Sequence, residues 1–446
     1  MLSFFFPSTR GAAAAAARGP EVRRAAWPAA ISVLALLSVC PTAAPTAELT
    51  IVCGLQGIDH PHCRQAAETW AQARGHQVRV LPAPDDLPTR LRLYQELLEV
   101  GAPKPDVLEI DVVSPSLLAH HLLDLGPRIG AAAADYLPAL IAADTVAGRL
   151  VALPYSLNFG LLFYRRDLLA RSAMPVPDTW DALERAAAVV QDQERNAGNA
   201  RFWGFLWQGA RAEILTCNAL EWIASWGGGT IVAAAGGVTI DNPAALFALQ
   251  RASNWGGIIS PASPREDTER DSVAQFAAGN AAFVRAWPGA WRRLNAADSP
   301  VRGKVGVAPL PKGGTDGIHA ATLAGWQLAV SRSSAHPDLA AELVLYLTGE
   351  DAQRRRALEL GLTPTRTALL TDPQIEAAQP YLRALSAGEL TLVARPAVVT
   401  GRRYLQVSGL VQSAVASVLG GQVTAAQALK TLEHSLNVIS RQGEDW

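Results

Sequence analysis

The sequence predicts an α/β architecture in two lobes, and three features carry that prediction. The chain has 446 residues, 49% of them apolar and 18% charged, which is more than one core of ordinary size accommodates. Its first part alternates strand-like and helix-like segments. A second series of the same kind begins past residue 160. Such alternation builds parallel sheets flanked by helices, and ligand groups then collect on loops at the carboxyl ends of the strands.

Leu49 to Gly54 reads as an apolar strand, and His62 to Arg74 places Ala66, Ala67, Trp70 and Ala73 at helical spacing. Gln77 to Leu81 alternates as a strand, and Thr89 to Val100 is a second helix. Val107 to Val113 is a buried strand closed by Ser114-Pro115, with Asp111 near its carboxyl end. The second series opens with the strand Leu161 to Arg165 and a helix starting in Pro177-Asp-Thr-Trp-Asp-Ala-Leu-Glu184, capped by Asp178 or Thr179. Trp226-Gly-Gly-Gly-Thr230 and Ala235-Gly-Gly-Val238 are turns, because the Lys-Ser/Thr of a phosphate loop does not follow them. From Ser408 to Ile439 the apolar spacing is helical, so the tail packs as helices on one lobe.

A net charge of -1, with no basic cluster interleaved with aromatics, argues against nucleic acid as a partner. Arg23 and Arg24 precede the apolar run Ala29 to Val39, and small residues and proline continue to Ala47, so residues 1–47 read as an export signal to the periplasm behind an N-terminal extension, Met1 to Pro20, that fits no signal design. That run is far short of the roughly 20 residues that span a bilayer. Removing 1–47 takes away four Arg and one Glu and leaves a charge of -4. Leu37-Ser-Val-Cys40 resembles a lipobox, but valine fits poorly before the cysteine, so anchoring through Cys40 is the weaker reading. Cys53 and Cys63 lie ten apart in a chain bound for an oxidising compartment, which favours a bridge between them. Zinc on His60, His62 and Cys63 is disfavoured, because no second ligand pair follows at a recognisable spacing. Cys217 is expected to be a buried small hydrophobe, and neither cofactor nor metal is expected.

Several stretches in order resemble one family across the mature chain: Cys53-Gly with Cys63 and Ala66-Ala-Glu-Thr-Trp-Ala, Arg90-Leu-Arg-Leu-Tyr-Gln95, Ile110-Asp-Val112, Leu161-Leu-Phe-Tyr-Arg165, Thr216-Cys-Asn-Ala-Leu-Glu-Trp222, Gly279-Asn-Ala-Ala-Phe283, Trp287-Pro-Gly-Ala-Trp291, Gly325-Trp-Gln-Leu-Ala-Val330, and Arg395-Pro to Gly401. The chain is similar to family 1 of the extracellular solute-binding proteins of ABC sugar importers, in particular the trehalose/maltose-binding branch. The resemblance implies a two-lobe periplasmic-binding-protein fold of type II, with a ligand cleft between lobes joined by a hinge. Residues 48–155 plus 327–365 would form the N-lobe, and 156–326 plus 366–446 the C-lobe. It further implies a non-catalytic monomer that captures a carbohydrate, such as the disaccharides trehalose or maltose, and delivers it to membrane permease subunits. A same-fold protein for a polyol or a glycerol phosphodiester is the alternative.

A sugar surrounds apolar ring faces with hydroxyls, so its site needs flat aromatics beside carboxylates, amides and guanidinium groups. The resemblance implies polar contacts from Asp59 in the first loop, Asp111, Asn158 and Arg395, an aromatic at Tyr155, stacking rings at Trp287 and Gly325-Trp326, and a contact from Arg90. Competing readings are core packing for any of the 12 Trp, a turn cap for Asp111, a surface salt bridge for Arg395 and a structural role for Arg90. Two departures bear on the ligand. Asp111-Val-Val-Ser-Pro115 and Trp287-Pro-Gly-Ala-Trp291 lack aromatics that relatives carry, which predicts a larger or more polar pocket. A glycosidase using Asp59 and Asp111 is the rival enzyme class, but no Gly-x-Ser-x-Gly, His-Glu-x-x-His or P-loop occurs in the chain.

Overall fold

The computed structural model describes residues 46–55, 59–84, 87–262, 267–442 and 446. Apart from Thr46 and Ala47, the export signal and Cys40 lie outside the described residues. The first series is β1 (Glu48–Leu55), α1 (His60–Ala73), β2 (Gln77–Ala83), α2 (Leu87–Glu99) and β3 (Val107–Asp111). All five residues of β3 are buried. Ser114-Pro115 does more than end that strand, because it opens the helix α3 (Ser114–Leu118), where a proline in the first turn lacks only a donor that has no intrahelical partner.

The second series runs through β4 (Leu153–Asn158), β5 (Leu161–Arg165), α4 (Trp180–Asn196), β6 (Trp203–Leu206), α5 (Glu213–Ser225), β7 (Ala281–Ala286), β8 (Val305–Pro309) and β9 (Ala324–Val330). Thr179 is the cap of α4, its hydroxyl accepting from the Ala182 amide at 3.2 Å, while Asp178 pairs with Lys312 at 3.0 Å. Later come α6 (Pro337–Leu347), α7 (Glu350–Leu360), α8 (Tyr404–Leu419) and α9 (Ala425–Ile439), the last two being the expected helical tail.

Two sheets organise the two lobes. One has the order β2-β1-β3-β9-β4 and the other β8-β5-β7-β6. Both are mixed rather than parallel. β9 runs antiparallel to β3 and β4, and β5 runs antiparallel to β8 and β7, because the chain returns between lobes instead of always crossing over within one. It leaves the first sheet at Phe159-Gly160 and is back in it at β9. In the second core, Trp180, Trp207, Trp222 and Trp255 pack ring against ring, with Trp207 edge-on to Trp222 at 5.0 Å. For these four tryptophans the core reading is the right one.

Cys53 and Cys63 are bonded, tying the end of β1 to the first turn of α1, and Cys217 is free and buried. Burial pushes the Cys217 thiol up to about 12. We expect one reactive thiol when protein beginning at Thr46 is labelled under denaturing, non-reducing conditions; three would reject the bridge. Among the described residues no helix is long and apolar enough to cross a membrane.

Candidate functional site

Two half-buried indoles share one construction. Arg285 is the penultimate residue of β7 and Trp287 follows directly after the strand. The Arg285 guanidinium lies 3.8 Å from the Trp287 ring centre. Its other edge is gripped by the buried carboxylate of Glu221 on α5, Nη2 donating to Oε1 at 2.6 Å and Nε to Oε2 at 3.0 Å. In the other lobe Trp326 of β9 is covered by Arg90 of α2 at 4.2 Å. Arg90 pairs in turn with buried Glu109 at 3.4 Å and donates to the Pro84 carbonyl from both Nε and Nη2. Each ring therefore has one face closed by a guanidinium that a buried carboxylate holds.

Asp111 lies opposite Trp326 in the β3–β9 register. Its Oδ1 accepts from the Val113 amide at 3.0 Å and from Arg395 Nη2 at 3.2 Å, so it closes a turn and forms an ion pair at once. Arg395 is buried rather than a surface residue, and its Nη1 donates to Glu213 at 2.8 Å at the start of α5. Glu213 also accepts from Tyr404 and Ser408. The guanidinium thus joins a carboxylate at the carboxyl end of the first sheet's central strand to one anchored in the second core.

The other candidates are placed less openly. Asp59 is buried just ahead of α1 between the two bridged cysteines, where its charge acts on Glu109 and Arg356. Tyr155 is 1% exposed, lies beneath Arg356 at 3.9 Å and has a hydroxyl without a hydrogen-bond partner. It lines a cavity of about 140 Å³ with His62, Thr69 and Arg355, between α1 and α7. Asn158 is half-buried at the end of β4, opposite Ala324. Gly325 has φ +140, and a Cβ there would sit 2.2 Å from the Ser156 carbonyl, so only glycine lets β9 approach β4 this closely. Its own carbonyl accepts from the Val112 amide at 3.1 Å. Asp111, Arg395, Trp326 and Arg90 are thus linked through β3 and β9, whereas Trp287 stands just past the end of β7 of the second sheet.

Glu109, Glu213, Glu221, Arg285 and Arg356 were not anticipated from the sequence. A signal existed for three of them: Arg285 interrupts an otherwise apolar strand, Glu109 stands among the apolar residues ahead of Asp111, and Glu221 is the one charged residue after Glu213 in the largely apolar helix segment Glu213–Ser225. Burial and the neighbouring Asp59 raise the Glu109 carboxyl to about 7. A carboxyl raised on folding contributes stability that is present below its unfolded value, near 4.5, and lost as pH rises through about 7. We therefore expect Glu109→Gln to remove a fall in melting temperature between pH 5 and pH 8; an unchanged pH profile would contradict this. Among the described residues no His, Cys, Asp and Glu cluster could hold a metal ion; His60 faces the Cys53 carbonyl at 3.0 Å and His62 pairs with Glu359 at 3.4 Å.

A probable ABC transporter-binding protein of Deinococcus radiodurans is 41% identical over 417 residues, covering 93% of this chain and 99% of its own length. Maltose-bound MalE3 of T. maritima superposes with a TM-score of 0.80 at 34% identity, over 88% of this chain and 100% of that one. A solute-binding protein of Thermotoga lettingae bound with alpha-D-tagatose reaches a TM-score of 0.76 over the same shares, and at 23% identity its likeness concerns the two-lobe fold alone. The family model of bacterial extracellular solute-binding proteins matches residues 94–354, more than half of the sequence, and the chain belongs to that family.

Proposed function

We propose that this protein is the exported, non-catalytic substrate-binding component of an ABC importer and that it captures a carbohydrate between its lobes. The observation that carries the reading is the pair of indoles, Trp326 and Trp287, each backed by a guanidinium on one face, with the Asp111–Arg395 ion pair beside the first. An indole offers an apolar face to a pyranose ring, while the carboxylate accepts from hydroxyls and the guanidinium donates to them. The maltose bound by the 34% identical MalE3 makes an α-linked disaccharide the first ligand to test. Gly289, in the second departure from the relatives' motif, is exposed, with nothing within 4 Å of where a Cβ would stand, which supports a wider pocket than one closed by an aromatic there. The lobes are taken as 48–155 plus 327–365 and 156–326 plus 366–446, with β4 and β9 straddling the two bounds so that Trp326 itself stands on the first sheet.

Thermal stabilisation against maltose, trehalose, maltotriose, mannitol, tagatose and glycerophosphocholine tests the reading, since a ligand that binds only the folded state raises the melting temperature. We expect a disaccharide to stabilise most; stabilisation by the phosphodiester alone would move the protein to that ligand class. Binding should also close the lobes, because a ligand touching both favours the closed state. Small-angle scattering should then show a smaller radius of gyration with saturating maltose. An unchanged radius would sink the clamp.

A further inference from the structure

We propose that Glu221 is a positioning residue for ligand binding: it holds Arg285 flat against one face of Trp287 and thereby fixes the face that remains for the ligand. The proposal rests on the reading of Trp287 as a stacking residue. Glu221 is 1% exposed, and its carboxylate takes three bonds, two from Arg285 and one from the Thr322 amide at 3.1 Å. It also fills the space beside Gly160, where a Cβ would lie 2.2 Å from Oε1. The carboxylate is therefore held in place, bonded to one of the segments by which the chain passes between the sheets and packed close against the other. Arg285 Nη1 has no hydrogen-bond partner, so Glu221 and the Trp287 ring are what orient this guanidinium. The indole is further pinned from its Nε1, which donates to Glu269 at 3.3 Å.

Preorganisation of this kind improves binding by removing the cost of ordering the ring when the ligand arrives. The Glu109–Arg90–Trp326 set repeats the design in the other lobe, which argues that the stack serves the rings rather than one local packing accident. A buried ion pair kept only for fold stability is the competing explanation.

A double-mutant cycle separates the two, with maltose as probe, or trehalose where that sugar stabilises the wild type more. Kd and melting temperature are measured for wild type, Glu221→Gln, Trp287→Ala and the double variant. We expect Glu221→Gln to weaken binding about tenfold, and the double variant to bind no more weakly than Trp287→Ala alone, because residues acting through one contact are not additive. An equal loss from Glu221→Gln in both backgrounds, or none in either, overturns the proposal. Unchanged Kd in Trp287→Ala overturns the stacking reading itself, a distinguishable failure. Should Glu221→Gln not fold, Arg285→Lys keeps the cation but not the planar face. It should lose about as much affinity, again only when Trp287 is present, and wild-type binding by Arg285→Lys overturns the proposal.

Discussion

Asp111→Ala is expected to weaken sugar binding by about tenfold to a hundredfold while leaving the protein folded. An ionised acceptor paired with a hydroxyl contributes about 1.5 to 3 kcal/mol, and its removal leaves the hydroxyl desolvated without a partner. The fold should tolerate the change because Arg395 keeps Glu213 at 2.8 Å, so no charge is stranded. What the fold loses is the turn bond to the Val113 amide and one arm of the ion pair, about 1 to 2 kcal/mol. Calorimetric titration with maltose beside a melting curve checks both parts. Wild-type affinity would remove Asp111 from the site, and a collapsed melting temperature would return it to a purely structural role as the cap of its turn.

The elements of the first half were legible in the sequence because their apolar residues keep one period over enough length to reveal it: β1, α1, β2, α2 and β3 all lie within a few residues of where alternation and helical spacing put them. The direction of strand pairing was not legible. A strand's apolar pattern is the same whether its neighbour runs parallel or antiparallel, so β9 lying between β3 and β4 required the return of the chain at 324, which no local signal marks. Asp111, Trp326, Trp287 and Arg395 were proposed through family likeness, but the side chains that hold them in place could not be. Glu213 and Arg395 are separated by 182 residues and Glu221 and Arg285 by 64, and sequence alone offers no reason to join them. Nor does it show that Tyr155 is buried beneath Arg356 while Trp326 stays half-buried beneath Arg90, since the two guanidinium groups reach their rings from separate helices.

Arg395→Ala should behave in the opposite way to Asp111→Ala, losing stability first. The guanidinium is 2% exposed and stands between Asp111 and Glu213, so its deletion leaves two carboxylates facing each other across a space from which water is largely excluded. Breaking a buried pair by removing one partner costs about 3 to 5 kcal/mol, well above the value of an exposed pair, because the charge left behind has no compensation. With unfolding entropy of about 2.1 cal/mol/K per residue over roughly 400 residues, that loss lowers the melting temperature by about 4 to 6 °C, and by more if the lobes melt separately. Arg395→Lys should fall between wild type and alanine, since an ammonium can meet one carboxylate well but lacks the fork that reaches both. The companion change Glu213→Gln discriminates between a lost charge balance and lost packing. Added to Arg395→Ala, it removes the uncompensated carboxylate while its one amide oxygen still accepts from Tyr404 or Ser408, and it should restore part of the melting temperature without restoring affinity. A single variant melting within about 1 °C of wild type would mean that water reaches this pair, and the guanidinium could then not be the rigid link between Asp111 and the second core.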